Sequence, residues 1–388
     1  MRDAVVVDAV CTPIGRRNGA LSGVHPVDLS AAVLHGLAER NGLDPSLVED
    51  VVWGCASQVG EQGGNVGRYA ALAAGWPEHV PGTSIDRACG SSQQAATFAA
   101  AGVIAGQYDV VVCGGVESMS RVPMGSARTN GPGLPFGPSV RERYEGVEFN
   151  QGDSTEIVAE RWGLSREALD LHALESHERA GQAIDGGLFE NEIVPVPVPG
   201  QDGAAATVVD TDEGVRRGGT PEKLGALRPS FRDDGVVTAG NSSQISDGAA
   251  ALLVTTSEIA ARHGWQPLAR FHSFALAGVD PVTMLTAPIP ATAAVLTRAG
   301  LRIEDVGAFE VNEAFASVTC AWLADTGADP KLLNARGGAI GLGHPLGASG
   351  ARLMTTLVHR MRDDGIRYGL QTMCEAGGMA NATVLEAL

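Results

Sequence analysis

Short valine-rich runs separated by helix-length segments dominate the first 120 residues. Ala4–Val10, Asp50–Gly54 and Asp109–Cys113 read as strands, and Pro26–Asn41 and Ser91–Ala105 read as helices between them. Branched apolar runs without polar alternation suit strands buried on both faces, and the intervening helices supply the cover. The expected class is therefore α/β, with a parallel, doubly covered sheet. At 388 residues and 44% hydrophobic content the chain has material for two or three domains, or for one duplicated architecture. Only 19% of residues are charged and 51 are glycine, a profile of a compact enzyme rather than a disordered chain.

The texture changes at about residue 121 and returns at about residue 241. The stretch 121–240 holds Gly/Pro-rich turns (GPGLPFGPS), a helical segment at Ser165–Ala183 and the proline-spaced run IVPVPVPG. It also holds the basic residues Arg216, Arg217, Lys223, Arg228 and Arg232. It reads as a loop domain inserted over the core. Beyond it the first half is echoed. Leu43–Gly54 (LDPSLVEDVVWG) resembles Leu301–Glu310 (LRIEDVGAFE). Cys89-Gly90 opens a helix leading to VVVCGG, as His344-Pro345 opens one leading to LQTMCEAGG. Two βα-rich halves with a site between them are the expected arrangement. The expected partition is 1–120 plus 241–267, the insertion 121–240, and 268–388.

A formal charge of −17 argues against nucleic acid or an anionic membrane as partner. An anionic substrate would need a locally less acidic region. Met1–Val10 has no signal-peptide pattern, and no stretch of about 18 apolar residues could span a bilayer. The six cysteines, at 11, 55, 89, 113, 320 and 374, show neither CxxC pairs nor metal-ligand spacing. Free thiols in a reducing cytoplasm, without a metal, are expected.

Four places carry chemistry. Cys89 lies in DRACGSS immediately before a helix, where the dipole and free N–H groups would favour thiolate and depress its pKa. A buried structural cysteine is the plainer alternative. Asn334–Gly350 (NARGGAIGLGHPLGASG) holds six glycines around His344, a backbone folded closely about something with an imidazole presented to it. No phosphate-loop pattern fits it. Cys374, in TMCEAGG, ends a strand before a glycine turn. Asn312-Glu313 follows the strand-like GAFEV, where such pairs usually cap a helix. Together a Cys, a His, a second Cys and an Asn suit acyl transfer through a thioester. A cysteine protease would not need the second Cys and its turn.

DAVCTPIGR, DRACGSSQQA, AGNSSQISDGAAA, VNEAFA, NARGGAIGLGHPLGASG and MCEAGG, in this order over nearly the whole chain, resemble the thiolase family. The resemblance implies a thiolase fold, with duplicated halves stacked as a five-layered α-β-α-β-α core. It implies that Cys89 takes the acyl group and that His344 removes its proton. His344 and a water held by Asn312 would stabilise the thioester oxygen. Cys374 would be the acid/base, and the N–H groups of Cys89 and Ala376 a second oxyanion hole. Arg216, Ser243 and Ala314 match positions that contact CoA in this family. Coenzyme A and acyl-CoA enter as substrates, with no metal or redox cofactor, and a homo-oligomer, dimer or tetramer, is implied.

The chain departs from the family pattern in three places. Ala376 replaces a glycine, Gly341 replaces an alanine, and Asn150-Gln151-Gly152 stands where short-chain biosynthetic members carry His-Met-Gly. RRNGALSGVH, QVGEQGGN, CGSSQQA, SSQISDGAAA and TMC look like degradative thiolases that shorten bulky acyl or steroid side chains. The expected function is thiolysis of 3-ketoacyl-CoA in β-oxidation. Biosynthetic acetoacetyl-CoA formation is the alternative, and a non-catalytic acyl-CoA or lipid-binding relative the remote one. A ketosynthase-like condensing enzyme is disfavoured by the intact Cys374 turn.

Overall fold

The structure, a computed structural model, describes residues 2–129, 131–199 and 206–388. Met1 of the first apolar run and Gly200 of IVPVPVPG lie outside the described residues. One large sheet organises the chain. Its strands lie in the spatial order Ala308–Val311, Tyr368–Glu375, Met379–Ala387, Ala269–Gly278, Val5–Cys11, Ser246–Thr255, Val110–Ser118, Val51–Gly54 and Thr83–Ile85.

The duplication is visible in the pairing. At the centre Val5 and Val6 pair antiparallel with Arg270 and Ala269. Outward from there each half runs antiparallel, antiparallel, parallel: on one side through Ser246–Thr255, Val110–Ser118 and Val51–Gly54, on the other through Met379–Ala387, Tyr368–Glu375 and Ala308–Val311. The echoed segments Leu43–Gly54 and Leu301–Glu310 thus end in equivalent strands.

The sheet is therefore mixed, not parallel. The three residues joining Glu375 to Met379 permit only an antiparallel return. The expectation erred because helices bury these antiparallel strands on both faces too, which removes the polar alternation that marks a one-sided sheet.

Pro26–Asn41 covers one face of the first half, with Leu29, Leu34 and Leu37 packed among Val5, Val112 and Leu253. Pro288–Ala299 and Ala316–Thr326 cover the second half through Val295 and Trp322 against Phe309 and Val384. Ser91–Ala105 and Leu346–Asp363 lie between, sharing a core with Val6 and Leu252 of one half and Phe271 and Leu385 of the other. These layers form the α-β-α-β-α core. Ala351 N–H donates to Ser92 Oγ at 2.8 Å, so the two central helices touch near their N-terminal ends.

Within the insertion, Gln151–Arg161 and Arg166–Asp185 lay Val158, Leu169 and Ala173 over Ala314, Ile340 and Cys374. Later the chain returns to the core, where Val194 N–H donates to Cys11 O and Asp212 accepts from Ile14 N–H. No helix among the described residues is long and apolar enough to cross a membrane.

Candidate active site

The two central helices begin just after Cys89 and His344, so the fold presents these residues at equivalent places. Ala88, before Cys89, holds a left-handed φ of 47°. Such a conformation costs about 1–2 kcal/mol for a residue with a Cβ. Asp86 Oδ1 accepts from Ala88 N–H at 2.7 Å and Ser91 Oγ donates to Ala88 O at 2.6 Å, which hold it there. Gly90 follows because nothing larger fits: a Cβ there would lie 2.0 Å from Glu375 Oε1. Cys89 packs on Leu346, Leu353 and Met373.

The expected depression of the Cys89 pKa is overturned. Burial pushes this thiol well above its ordinary value, and Cys374, Glu375 and Glu117 add to the rise. At 4% exposure the thiolate loses more hydration than the helix start returns. At rest, burial thus favours the thiol form of Cys89. Cys11 and Cys113 are likewise buried and raised by desolvation.

His344 is buried at 3%. Its Nδ1 lies 2.6 Å from Ser349 Oγ, and Ser349 Oγ itself donates to Pro345 O at 2.9 Å. A hydroxyl has one proton, so Ser349 accepts from Nδ1–H and leaves the Nε2 lone pair free. That lone pair faces Asn312, whose Nδ2 lies 3.5 Å away. Burial lowers the His344 pKa to about 4, so the imidazole is neutral at neutral pH. Gly343 turns the chain with φ 121°, and a Cβ on it would meet Ser246 Oγ at 2.5 Å. That same Ser246 Oγ accepts from His344 N–H.

Cys374 ends its strand as expected, and Asn312 Nδ2 also reaches its Sγ at 3.7 Å. Burial raises Cys374 to about 11, with the Asn312 contact opposing. Ala376 is not in the left-handed region, and the turn is made by Gly377 and Gly378 at φ 86° and 79°. The alanine therefore fits without strain. Apart from the Cys89 thiol itself, the N–H groups of Cys89 and Ala376 have no acceptor among the described residues.

Three buried carboxyl groups matter at the site, of which the sequence pointed only to Glu313, and as a helix cap. Glu313 caps no helix. It accepts from Ser176 Oγ at 2.6 Å, Asn334 Nδ2 at 3.0 Å and Ile340 N–H at 3.2 Å, tying the glycine-rich loop to the insertion. Burial works against its ionisation, but His172, Ser176 and Asn334 outweigh it and hold the carboxyl below its ordinary value. Glu117 accepts from Ala56, Ser57 and Gly347 N–H and from Gln62 Nε2, pinning the start of the helix that follows His344. Glu375, raised to about 8 by burial, lies 3.8 Å from Arg87. Of the other two, only Glu375 had a signal, its neighbour Cys374 in MCEAGG.

The residues expected to contact CoA are placed less compactly. Ser243 N–H donates to Ala314 O at 3.0 Å, which puts these two side by side near Cys374. Arg216 is exposed and lies with His177, Leu171 and Leu174 on a cavity of about 600 Å³ that Ser243 does not line. Of the basic cluster, Arg217 pairs with Asp185 and Arg232 with Glu160. Arg216 and Arg228 have no ion-pair partner among the described residues. Asn150 caps Gln151–Arg161 through Gly152 N–H at 2.8 Å. No group of three or more His, Cys, Asp or Glu among the described residues is arranged to hold a metal.

Comparison with known proteins shows the family. Residues 4–258 match the family model "Thiolase, N-terminal domain" and residues 265–387 match "Thiolase, C-terminal domain". The chain is 48% identical to the steroid 3-ketoacyl-CoA thiolase FadA6 of Mycobacterium tuberculosis, over all of this chain and 95% of that protein. It is 43% identical to a beta-ketoadipyl-CoA thiolase of Escherichia coli over the whole of both. The crystal structure of the Bacillus anthracis acetyl-CoA acetyltransferase superposes with a TM-score of 0.91 at 38% identity, covering 100% of this chain and 99% of that one.

Proposed function

Since this chain belongs to the thiolase family and is an acyltransferase, we propose that it cleaves 3-ketoacyl-CoA by thiolysis through an acyl-enzyme on Cys89. His344 Nε2 takes the Cys89 proton, and the thiolate attacks the 3-keto carbon. The C2–C3 bond breaks, and the acetyl-CoA enolate takes a proton from Cys374. Coenzyme A, deprotonated in turn, then attacks the acyl thioester and releases the shortened acyl-CoA. The N–H groups of Cys89 and Ala376 serve one oxyanion, while His344 and a water on Asn312 serve the other. The observation that carries this reading is one Asn312 amide reaching both His344 Nε2 and Cys374 Sγ.

The insertion 121–240, between halves 1–120 plus 241–267 and 268–388, contributes Arg216 to CoA, and Ser243 and Ala314 complete that contact. That Arg216 has no ion-pair partner among the described residues supports a role toward an anionic ligand on an acidic protein. A bulky or steroid-type acyl group in β-oxidation is the favoured substrate, supported by the name of the M. tuberculosis relative. The reading includes a cytoplasmic homo-oligomer. The name of the B. anthracis neighbour favours a second reading, condensation of two acetyl-CoA.

Mass spectrometry after brief exposure to 3-ketoacyl-CoA tests the chemistry. The acyl mass is expected on Cys89 and absent in Cys89→Ser, which should still bind CoA. Acyl mass on Cys374 alone would refute it. Faster turnover of acetoacetyl-CoA than of longer or bulkier 3-ketoacyl-CoAs would select the second reading.

A further inference from the structure

We propose that a single buried water sits behind the His344–Asn312 pair, bound by Arg352, and that Arg352 is a positioning residue for the Asn312 amide through it. This is a different water from the one Asn312 would hold toward the substrate. The inference rests on the role given to Asn312 above.

Arg352 is buried at 3% and spends both terminal nitrogens on Asp212, at 3.0 and 2.7 Å. Its Nε–H has no partner among the described residues, and neither does Asn312 Oδ1, on a side chain 1% exposed. Two unpartnered polar atoms in the interior are costly unless something joins them. Both residues line one cavity of about 10 Å³, together with Ser349, Gly343, Leu342 and Ile14. That volume suits about one water.

Ser349 and Arg352 are three residues apart on the Leu346–Asp363 helix and so share a face. Ser349 Oγ already donates to Pro345 O and faces His344 Nδ1, leaving one lone pair. A water there would accept from Arg352 Nε–H and donate to Asn312 Oδ1 and Ser349 Oγ. Three bonds are ordinary for an internal water.

The consequence is orientational. A carboxamide is nearly symmetric in shape, and only its hydrogen bonds decide which end is oxygen. With Oδ1 turned back to the water, Nδ2 faces His344 and Cys374 as a donor. Reversed, the amide would set an oxygen against developing negative charge.

A crystal structure of the wild-type enzyme that orders internal waters should place one within hydrogen-bond reach of Arg352 Nε, Asn312 Oδ1 and Ser349 Oγ. No water there, or Oδ1 facing His344, overturns the proposal. Arg352→Lys keeps a cation for Asp212 but lacks the Nε–H. Its kcat should fall about 10- to 100-fold, with KM for CoA unchanged and Cys89 still acylated. An unchanged kcat, or KM rising by the same factor, also overturns it. Should that variant not fold, the wild-type density decides alone. Failure of wild-type Cys89 to acylate would instead sink the thiolysis reading, an outcome distinct from an absent water.

Discussion

Ser349 Oγ lies 2.6 Å from His344 Nδ1 while donating its own proton to Pro345 O, and this pair of contacts decides which imidazole nitrogen carries the proton. Ser349→Ala leaves Nδ1–H without an acceptor and frees the ring to change tautomer. Steady-state thiolysis should show kcat reduced about 10- to 100-fold, with KM for CoA little changed. A full-rate variant would mean that the tautomer is held elsewhere.

The pKa directions at the site set its pH behaviour. Burial raises Cys89 and lowers His344 to about 4. Alkylation of Cys89 by iodoacetamide should therefore keep rising through pH 9 rather than level off near neutrality, and acyl-CoA should protect it. The acid limb of kcat/KM, where His344 is protonated, should fall near pH 4, not near 6.5. Stability follows the same sign. His344 is neutral in the fold and charged in the unfolded chain below about 6.5, so unfolding binds the proton and stability drops as pH falls from 6.5 to 4. Denaturant midpoints of wild type and His344→Gln across that range would measure it, with the shallower slope expected in the variant.

Glu313 gathers three donors beneath the glycine-rich loop. Glu313→Gln turns one acceptor oxygen into a donor facing Asn334 or Ser176. Stability should fall by about 1–3 kcal/mol, and kcat should fall with it, because the loop carries His344. Thermal melting beside steady-state rates checks both. A stable but inactive variant would point to a direct part in chemistry.

Ala376 departs from the family glycine, yet its backbone needs no left-handed φ. Ala376→Gly should leave kcat unchanged, since the N–H is the same, and should lower stability by about 0.5–1 kcal/mol through added freedom of the unfolded chain. A marked gain in kcat would show that the methyl group obstructs the oxyanion hole.

The helices Pro26–Asn41 and Ser91–Ala105 were legible to the residue, because each has a clear stop in Gly42 and Gly106. The strands Val5–Cys11 and Val51–Gly54 were legible to within a residue, whereas Val110–Ser118 runs five residues past the expected end at Cys113. Strand direction was not legible, because double-sided cover gives antiparallel strands the look of parallel ones. Cys89 and His344 stood out in unusual local contexts, while Cys374 and Asn312 gained meaning only in combination with them and from the family motifs. Glu117 and Ser349 did not, because their role depends on partners 230 residues away at Gly347 and five residues away across a turn at His344.

By itself, then, the sequence determined the residue types of the site, the repeat of the halves and the family. Local backbone preference and motif order are written in neighbouring residues. Tertiary structure alone decided the protonation of that site. Whether Cys89 rests as thiol or thiolate depends on how much water the folded chain removes from it and on which charges the opposite half brings near. Desolvation and long-range contact have no signature in any short stretch of chain.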